Sequence, residues 1–256
     1  MADCDLVPLV SVIVATKDRP RFLSLALDCY RQQTYPCREL IVVDNGRVYP
    51  ADVEAVHAVG GRLLRVDPAT PLGTKLNLGI EQARGSWCQK MDDDDWYGPD
   101  FLMRMMDAVL HHRSVVCRPV VAFLSPFLFF DLPQWQIRRS TGNNLPGATL
   151  LCARDNCQHR PFRPLHRDED IWFLKDQVGA GAVALPVFSL ESYLAVRHTG
   201  VSGDRGHTWV HQSDGRTLEH FLDERPLYRT PEELLPTWAV EAYERLGHRL
   251  DSATAK

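Results

Sequence analysis

The sequence predicts an α/β protein with a Rossmann-like, mixed but mostly parallel central sheet, flanked by helices in a single domain. Over the first hundred residues, apolar β-branched segments typical of buried strands alternate with segments of helical periodicity. The 256 residues are enough for one large domain or two small ones, and no low-complexity linker divides them. The composition, 45% hydrophobic and 24% charged, excludes a disordered or fibrous chain.

The first half supplies four predicted strands, each a short apolar run: LVSVIVA (9–15), ELIVVDNG (39–46), RLLRV (62–66) and SWCQKM (86–91). Three helices are predicted between them. The first follows Pro20, because apolar residues recur there at helical spacing. A weaker helix spans 51–60, and the third, LGTKLNLGIEQARG (72–85), is expected to close at Gly85. This β/α alternation is the basis of the doubly wound sheet.

The second half is less regular. It contains a predicted helix at 99–112, an apolar stretch at 120–130 and a polar loop at 133–147. Further predicted elements are a strand at 147–153, a helix at IWFLKDQV (171–178), strands AVALPVF (182–188) and SYLAVRH (192–198), a mobile loop at 201–216 and a helical tail from Thr230. The glycines and polar residues of 201–216 are typical of a surface loop.

Charge and N-terminal composition restrict the class of protein. A net charge of −4 and a pI near 6.2 argue against a general nucleic-acid binder, which needs a cationic face. Acidic residues stand where a signal peptide carries basic ones, and no apolar run reaches the ~18 residues of a transmembrane segment. Seven cysteines are scattered singly. We therefore expect a cytoplasmic protein with reduced thiols and no transmembrane segment, while peripheral membrane contact stays open.

Four consecutive aspartates, Asp92, Asp93, Asp94 and Asp95, directly follow the fourth predicted strand. Adjacent carboxylates repel one another, and a fold that gathers them at a strand end usually neutralises them with a cation. A hard divalent ion held by an Asp-x-Asp pair, together with diphosphate oxygens, is the functional interpretation. The alternative is a solvated acidic turn or a helix N-terminus, where aspartate is also favoured.

Two other strand ends carry polar residues that point to the same ligand. Thr16, Lys17 and Asp18 follow the first strand, and Asp44 and Asn45 follow the second. The carboxyl ends of parallel strands line one crevice of an open sheet, where an aspartate accepts hydrogen bonds from a base or a ribose. The sequence has no G-x-G-x-x-G and no Walker A motif, which argues against a dinucleotide dehydrogenase or a P-loop NTPase.

The ordered set VSVIVATKDRPRFL, ELIVVDNG, LNLGIEQARG, KMDDDDWYGPDFL and HRDEDIWFL resembles the bacterial-type family 2 glycosyltransferases of GT-A fold, over roughly residues 1–200. The resemblance implies an enzyme that moves a sugar from a nucleotide-diphosphate sugar to an acceptor hydroxyl, with inversion and with Mn²⁺ or Mg²⁺. The acceptor would be a glycan, a lipid-linked sugar or a small molecule. VVDNG and Leu76-Asn77 depart from the family's Asp-Asp-Gly-Ser and Arg-Asn, which leaves the contacts to the base and the identity of the nucleotide open. A UDP-sugar is favoured, with GDP- and dTDP-sugars as alternatives.

The resemblance also implies roles for individual residues. Those expected to bind the nucleotide sugar are Thr16, Asp18, Asp44, Asn77, Asp92 and Asp93. Asp92 and Asp94 would form the DxD metal site, with His198 as a third ligand. The catalytic base would be Asp170, with Glu169 as the runner-up and Asp168 as a helix cap. Independently of the resemblance, the glycines at 200, 203 and 206 predict that residues 199–209 fold over the donor when it binds.

We expect a nucleotide-sugar-binding half at 1–95, an acceptor-binding and catalytic half at 96–215, and a helical extension at 216–256. One rival interpretation is a nucleotidyltransferase acting on sugar phosphates, which normally carries a Gly-rich N-terminal loop with basic residues. The other is a non-catalytic protein that binds nucleotide sugars. Taken alone, residues 168–170 also fit an acidic turn that complements the dipole of the following helix. The sugar, the acceptor and the oligomeric state are left open.

Overall fold

A computed structural model describes residues 7–141, 145–198, 222 and 224–253. The strands are β1 (Val10–Thr16), β2 (Arg38–Asp44), β3 (Arg62–Arg65), β4 (Trp87–Asp92), β5 (Trp96–Tyr97), β6 (Val120–Leu124), β7 (Leu128–Asp131), β8 (Gln136–Arg139), β9 (Leu151–Ala153), β10 (Val183–Val187) and β11 (Tyr193–Arg197). The helices are α1 (Pro20–Gln32), α2 (Val53–Ala58), α3 (Leu72–Glu81), α4 (Phe101–Val115), α5 (Arg154–His159), α6 (Glu169–Gly179), α7 (Pro231–Leu234) and α8 (Thr237–Ala253). A 3-10 turn, Gly147–Thr149, precedes β9.

The main sheet has seven strands in the order β10-β6-β9-β4-β1-β2-β3. Strand β9 runs antiparallel to β4 and β6, and the other six strands run parallel to one another. A second sheet has the order β5-β11-β7-β8. The prediction of a mixed, mostly parallel sheet flanked by helices is confirmed.

Both faces of the main sheet are covered, which explains the continuous apolar runs of its strands. In β1, Val12 and Val14 pack into a core that includes Phe22 of α1, whereas Ile13 faces a second core. That second core includes Ile80 of α3 and is shared with α6. Alternating side chains of one strand therefore anchor helices on both sides of the sheet.

Several boundaries differ from the sequence predictions. Helix α3 ends at Glu81, so Gly85 does not close it. The Gly85 N–H donates to the Ser11 hydroxyl (2.9 Å), and a Cβ there would lie 2.6 Å from the Leu9 carbonyl oxygen, so close packing against β1 excludes a side chain.

Cys37 is disulfide-bonded, so the expectation of reduced thiols throughout was wrong.

The polar stretch 133–147 is only partly a loop, because β8 lies within it and pairs with β7. The apolar stretch 120–130 is two strands in different sheets, separated at the cis Ser125–Pro126 peptide. Strand β5 and helix α5 were not predicted. The proposed loop 201–216 lies outside the described residues. Within the described part of the chain, no helix is long and apolar enough to cross a membrane.

Glu39 of β2 ties β1, β2 and the segment after α3 together. Its carboxylate accepts hydrogen bonds from the Ser11 hydroxyl (2.6 Å) and from the Arg84 backbone (2.7 Å) and guanidinium (2.9 Å), and it pairs with Arg62 (3.0 Å). Burial favours the neutral form, but these donors outweigh it and hold the pKa of Glu39 below its ordinary value.

We expect Glu39→Gln to lower the free energy of unfolding by about 2 to 3 kcal/mol at pH 7, because it weakens hydrogen bonds to a buried charge. A lowered folded-state pKa stabilises the fold above the unfolded pKa of about 4.5 and loses that contribution as the pH falls. The difference from wild type should therefore shrink in urea titrations near pH 4. Exposed Glu81→Gln is the matched control, and an equal deficit in that variant would contradict the assignment.

Candidate active site

Three polar strand ends meet at one edge of the main sheet. Strand register places Thr16 of β1 beside Asp44 of β2, and Ala15 beside Asp92 of β4. The carboxyl ends of these parallel strands therefore bring together residues that are far apart in sequence. The structure gathers the predicted strand-end residues as the sequence indicated.

At the β2 end, Asp44 is buried and makes several hydrogen bonds within the protein. One carboxylate oxygen accepts from the Gly46 N–H (2.7 Å), and the other accepts from the Ala51 N–H (2.8 Å) and from Arg65 (2.8 Å). A carboxylate offers about four acceptor positions, so roughly one remains for a ligand.

Asp18 lies two residues after the end of β1 and adopts the left-handed conformation, with φ of 53°. One of its carboxylate oxygens accepts hydrogen bonds from the Val48 and Tyr49 backbone N–H groups, both at 2.7 Å. Burial favours the neutral form, but these N–H donors hold the pKa of Asp18 below its ordinary value. The side chain thus fixes the segment after β2 across the sheet edge as an anion.

Lys75 of α3 is a buried cation that the sequence analysis did not single out. Its ammonium donates to the Thr16 carbonyl (3.0 Å) and to the Asn45 side-chain oxygen (2.8 Å), which joins the ends of β1 and β2. Burial lowers the pKa of Lys75 to about 8, against the opposing effect of Asp93 and Asp44. The signal that could have identified it is a lysine at a position where the spacing of a predicted helix calls for an apolar residue.

Arg19 neutralises the middle of the acidic run. Its guanidinium contacts Asp93 at 3.2 Å and Asp94 at 2.9 Å, and the Thr16 hydroxyl donates to Asp93 at 2.7 Å. Burial raises the pKa of Asp93 above its ordinary value, although Arg19 opposes this. A side chain of the protein therefore supplies positive charge where a cation was expected from the sequence.

His198 lies directly against the acidic run. Its Nε2 is 3.2 Å from the Asp94 carboxylate, and its ring stacks on Phe22 with centroids 4.3 Å apart. The imidazole is 1% exposed. The structure therefore brings together two of the three predicted metal ligands. Residues 199–209, the predicted lid, lie outside the described residues.

Asp95 links the acidic run to the second sheet. Its carboxylate accepts hydrogen bonds from the Tyr193 hydroxyl and from the Val196 backbone N–H (2.8 Å), both in β11. Burial, together with neighbouring Asp94, raises the pKa of Asp95 to about 7. This aspartate is thus a structural connection.

Lys90 of β4 connects the first aspartate of the run with the second acidic motif. Its ammonium lies 2.7 Å from Asp92 and 3.7 Å from Glu169, and its side chain is 5% exposed. Burial alone would lower its pKa, but these carboxylates and Asp170 raise the pKa of Lys90 above its ordinary value. A charged residue in the predicted buried strand SWCQKM was the overlooked signal.

The two candidate bases differ in surroundings. Glu169 is 4% exposed, and burial raises its pKa to about 7 against the opposing effect of Lys90. Asp170 is half-buried, and burial raises its pKa above the ordinary value. A Cβ on Gly147 would lie 1.5 Å from the Asp170 Oδ2, so this carboxylate rests against the backbone of the 3-10 turn.

Two other predicted residues have different surroundings. Asp168 occupies the N-cap position of α6 but makes no capping hydrogen bond through its side chain, so the expected cap was wrong. The Asn77 side-chain amide donates to the Phe162 carbonyl oxygen (2.8 Å) and accepts from the Phe162 N–H (2.9 Å). Within the described residues, no hydrogen bond joins Asn77 to the acidic run.

In the described part of the chain, carboxyl groups at this edge outnumber the cationic side chains that the structure places against them. The carboxyl groups are Asp92, Asp93, Asp94, Asp95, Glu169 and Asp170, and the cationic side chains are Arg19, Lys90 and Arg197. In the part of the chain that the structure describes, no three acidic, histidine or cysteine side chains form a preassembled metal cluster. The donor chemistry suits a hard divalent ion, but side chains must reorient to bind it.

Comparison with known sequences identifies a family. The profile of the family described as "Glycosyl transferase family 2" matches residues 11–170, more than half of the chain. The succinoglycan biosynthesis protein ExoO of Rhizobium meliloti (strain 1021) is 33% identical over 105 residues, which are 40% of this chain and 30% of ExoO. The chain therefore matches about a third of the length of that relative.

Solved structures share the fold at low identity. Mannosyltransferase PcManGT from Pyrobaculum calidifontis, in complex with GDP-Man and Mn²⁺, has a TM-score of 0.58 and 17% identity, covering 97% of this chain and 75% of that one. S. aureus TarS 1–349 in complex with UDP-GlcNAc has a TM-score of 0.58 and 16% identity, covering 75% of this chain and 60% of that one. The predicted GT-A fold is confirmed.

We expect Lys90→Met to lower the free energy of unfolding by about 3 to 5 kcal/mol at pH 8, because it leaves buried carboxylates without their cation. Glu169 takes up a proton as the pH falls through about 7, and its neutral form no longer needs the ammonium. The deficit should therefore be smaller at pH 5 than at pH 8 in urea titrations. A deficit that grows towards pH 5 would contradict the assigned ion pairs.

Proposed function

The chain belongs to the family 2 glycosyltransferases, and we propose that it transfers a sugar from a nucleoside-diphosphate sugar to an acceptor hydroxyl group. The observation that carries this proposal is the acidic sheet edge, where the run that begins at Asp92 is joined through Lys90 to Glu169. One cluster then contains both the carboxylates proposed to bind a metal beside the leaving diphosphate and the acidic motif proposed to supply the base. This combination suits a displacement at a sugar carbon. We propose residues 1–95 as the donor half and 96–215 as the acceptor half.

The donor would lie along the ends of β1, β2 and β4. Asp44 retains about one acceptor position for a base or ribose donor group, and Asp18 and Thr16 flank it. The solved relatives were bound to UDP-GlcNAc and to GDP-Man with Mn²⁺, which supports a nucleotide sugar as the ligand class. We favour a UDP-sugar, with GDP- and dTDP-sugars as alternatives.

We propose that a divalent metal, Mn²⁺ or Mg²⁺, binds with the diphosphate through Asp92 and Asp94, with His198 as a further ligand. The Asp92 side chain is 33% exposed and therefore reachable, and the imidazole already contacts Asp94. When bound, such an ion would offset the negative charge of the departing diphosphate. Binding at Asp94 requires Arg19 to move away from that carboxylate.

The reaction we propose is a direct displacement with inversion. The acceptor oxygen forms a bond to the anomeric carbon, the bond from that carbon to the diphosphate oxygen breaks, and the nucleoside diphosphate leaves with the electron pair. The hydroxyl proton moves to the Asp170 carboxylate, which must be ionised at that moment. Burial raises the pKa of Asp170 and thus its affinity for the proton. Glu169 is the alternative base, although Lys90 holds it in an ion pair.

The metal assignment predicts coupled binding. In calorimetric titrations, the affinity for UDP or GDP should be higher in Mn²⁺ than in EDTA, and Asp94→Asn should abolish that difference, because it removes a charged ligand. Asp155→Asn, at an exposed carboxylate, is the control. Equal affinity of the wild-type protein in Mn²⁺ and in EDTA would contradict the metal site.

The base assignment predicts separate effects on binding and turnover. Asp170→Asn should keep nucleotide binding but lower the transfer rate by roughly 100-fold or more, the usual effect of losing a general base. Glu169→Gln should lose less. Gly147→Ala should also slow transfer, because its Cβ would displace the Asp170 carboxylate. Wild-type turnover by Asp170→Asn would shift the assignment to Glu169.

A further inference from the structure

A cavity lies at the carboxyl ends of β6 and β10 and shares no residue with the acidic edge. Its volume is about 520 Å³, a size that suits part of a small ligand. The lining is mainly apolar, with one basic side chain; it consists of Ser125, Pro126, Arg139, Ser140, Pro186, Phe188 and Pro226. The Phe188 side chain is 78% exposed. Apolar walls with a few polar groups are the usual lining of a small-molecule site.

Strand register puts this cavity level with the acidic run. Ala122 of β6 pairs with Leu151 of β9, which pairs with Gln89 of β4. Counting three residues along the parallel strands β6 and β4 therefore aligns Ser125 with Asp92. Two strand spacings separate them, which is about 10 Å.

Phe188 lies one strand further along the same edge. Val187 of β10 pairs with Leu124 of β6, so Phe188 follows at the level of Ser125. The adjacent pair Pro186 and Phe123 shares a sheet face, and Phe123 packs against the core that contains α6. By the alternation of strand side chains, Phe188 projects on that same face.

The Asp170 carboxylate contacts the turn that leads into the strand between the two sites. It rests on Gly147, in the 3-10 turn that leads into β9, and β9 separates β4 from β6. Along the edge, the carboxylates proposed to bind the sugar donor come first, the proposed base second and the apolar cavity third. An acceptor held in the cavity would present its hydroxyl towards the base from the side opposite the donor.

Two polar groups in the cavity are available to an anion. The Arg139 guanidinium is exposed and makes no ion pair with any residue that the structure describes. Ser140 is 6% exposed, and its hydroxyl oxygen accepts from the Phe127 N–H at 3.0 Å. No acceptor among the described residues takes its proton, which leaves that proton for a ligand.

We propose that this cavity is the acceptor subsite and that it takes an amphiphilic acceptor, with an alkyl or aryl group next to a phosphate. The apolar group would lie on Phe188 and the prolines, and the phosphate would pair with Arg139 and accept from Ser140. This inference rests on the proposed glycosyl transfer for its role, but the ligand class follows from the cavity itself.

The probe is n-octyl phosphate, titrated into the full chain by calorimetry below its micelle concentration. It should bind, whereas inorganic phosphate and the neutral octyl glucoside should bind at least about tenfold more weakly. Phe188→Ser and Arg139→Gln should each weaken octyl phosphate about tenfold. Val115→Ser and Arg245→Gln remove an exposed apolar and an exposed basic side chain elsewhere and should have no effect.

Absence of binding, equal binding of octyl glucoside, or insensitivity to both cavity variants would overturn the proposal. A dimer in analytical ultracentrifugation that Phe188→Ser dissociates would also overturn it and would assign the surface to a second copy of the chain. Thermal shifts with UDP and GDP separate the two proposals. If wild type binds neither nucleotide, the glycosyl-transfer role fails, while the octyl phosphate titration still decides the cavity.

Discussion

The burial of carboxylates at the carboxyl edge of the sheet is the constraint on which the rest of the structure depends. Asp93, Asp94 and Asp95 are each no more than 4% exposed, and an unpaired buried charge would cost several kcal/mol. Asp93 and Asp94 share Arg19 as an ion-pair partner, and Asp95 accepts a hydrogen bond from Tyr193. Arg19 comes from the turn after β1, and Tyr193 comes from the second sheet. The acidic run therefore holds the two sheets and the first turn in one arrangement.

The same constraint joins the donor side to the proposed base. Lys90 contacts both Asp92 and Glu169, so its ion pair with Glu169 links β4 to the start of α6. Gly147 then lets the neighbouring Asp170 carboxylate approach the backbone at the head of β9. One ion pair and one close contact thus hold the proposed base near carboxylates that lie about 80 residues earlier in the sequence.

The sequence predicted what local patterns determine and missed what depends on distant partners. Apolar runs located the parallel strands, and strand-end polarity located Thr16, Asp44 and Asp92 at one edge. The short strand β8 was hidden in a polar segment because its stability comes from pairing with β7 and not from its own composition. The sequence analysis did not single out Arg19, since its acidic partners lie 74 and 75 positions away.

Chemical character changes along the single edge, and this change is the basis for the order proposed for the two substrates. At β1 and β2 the edge is polar, and Lys75 and Asp44 make most of their hydrogen bonds within the protein. At β6 and β10 it ends in prolines and the exposed Phe188. A charged diphosphate gains little from the apolar end, and an alkyl or aryl group gains nothing at the acidic end. The half-buried carboxylate of Asp170, the proposed base, contacts the 3-10 turn before β9, the strand that lies between these ends.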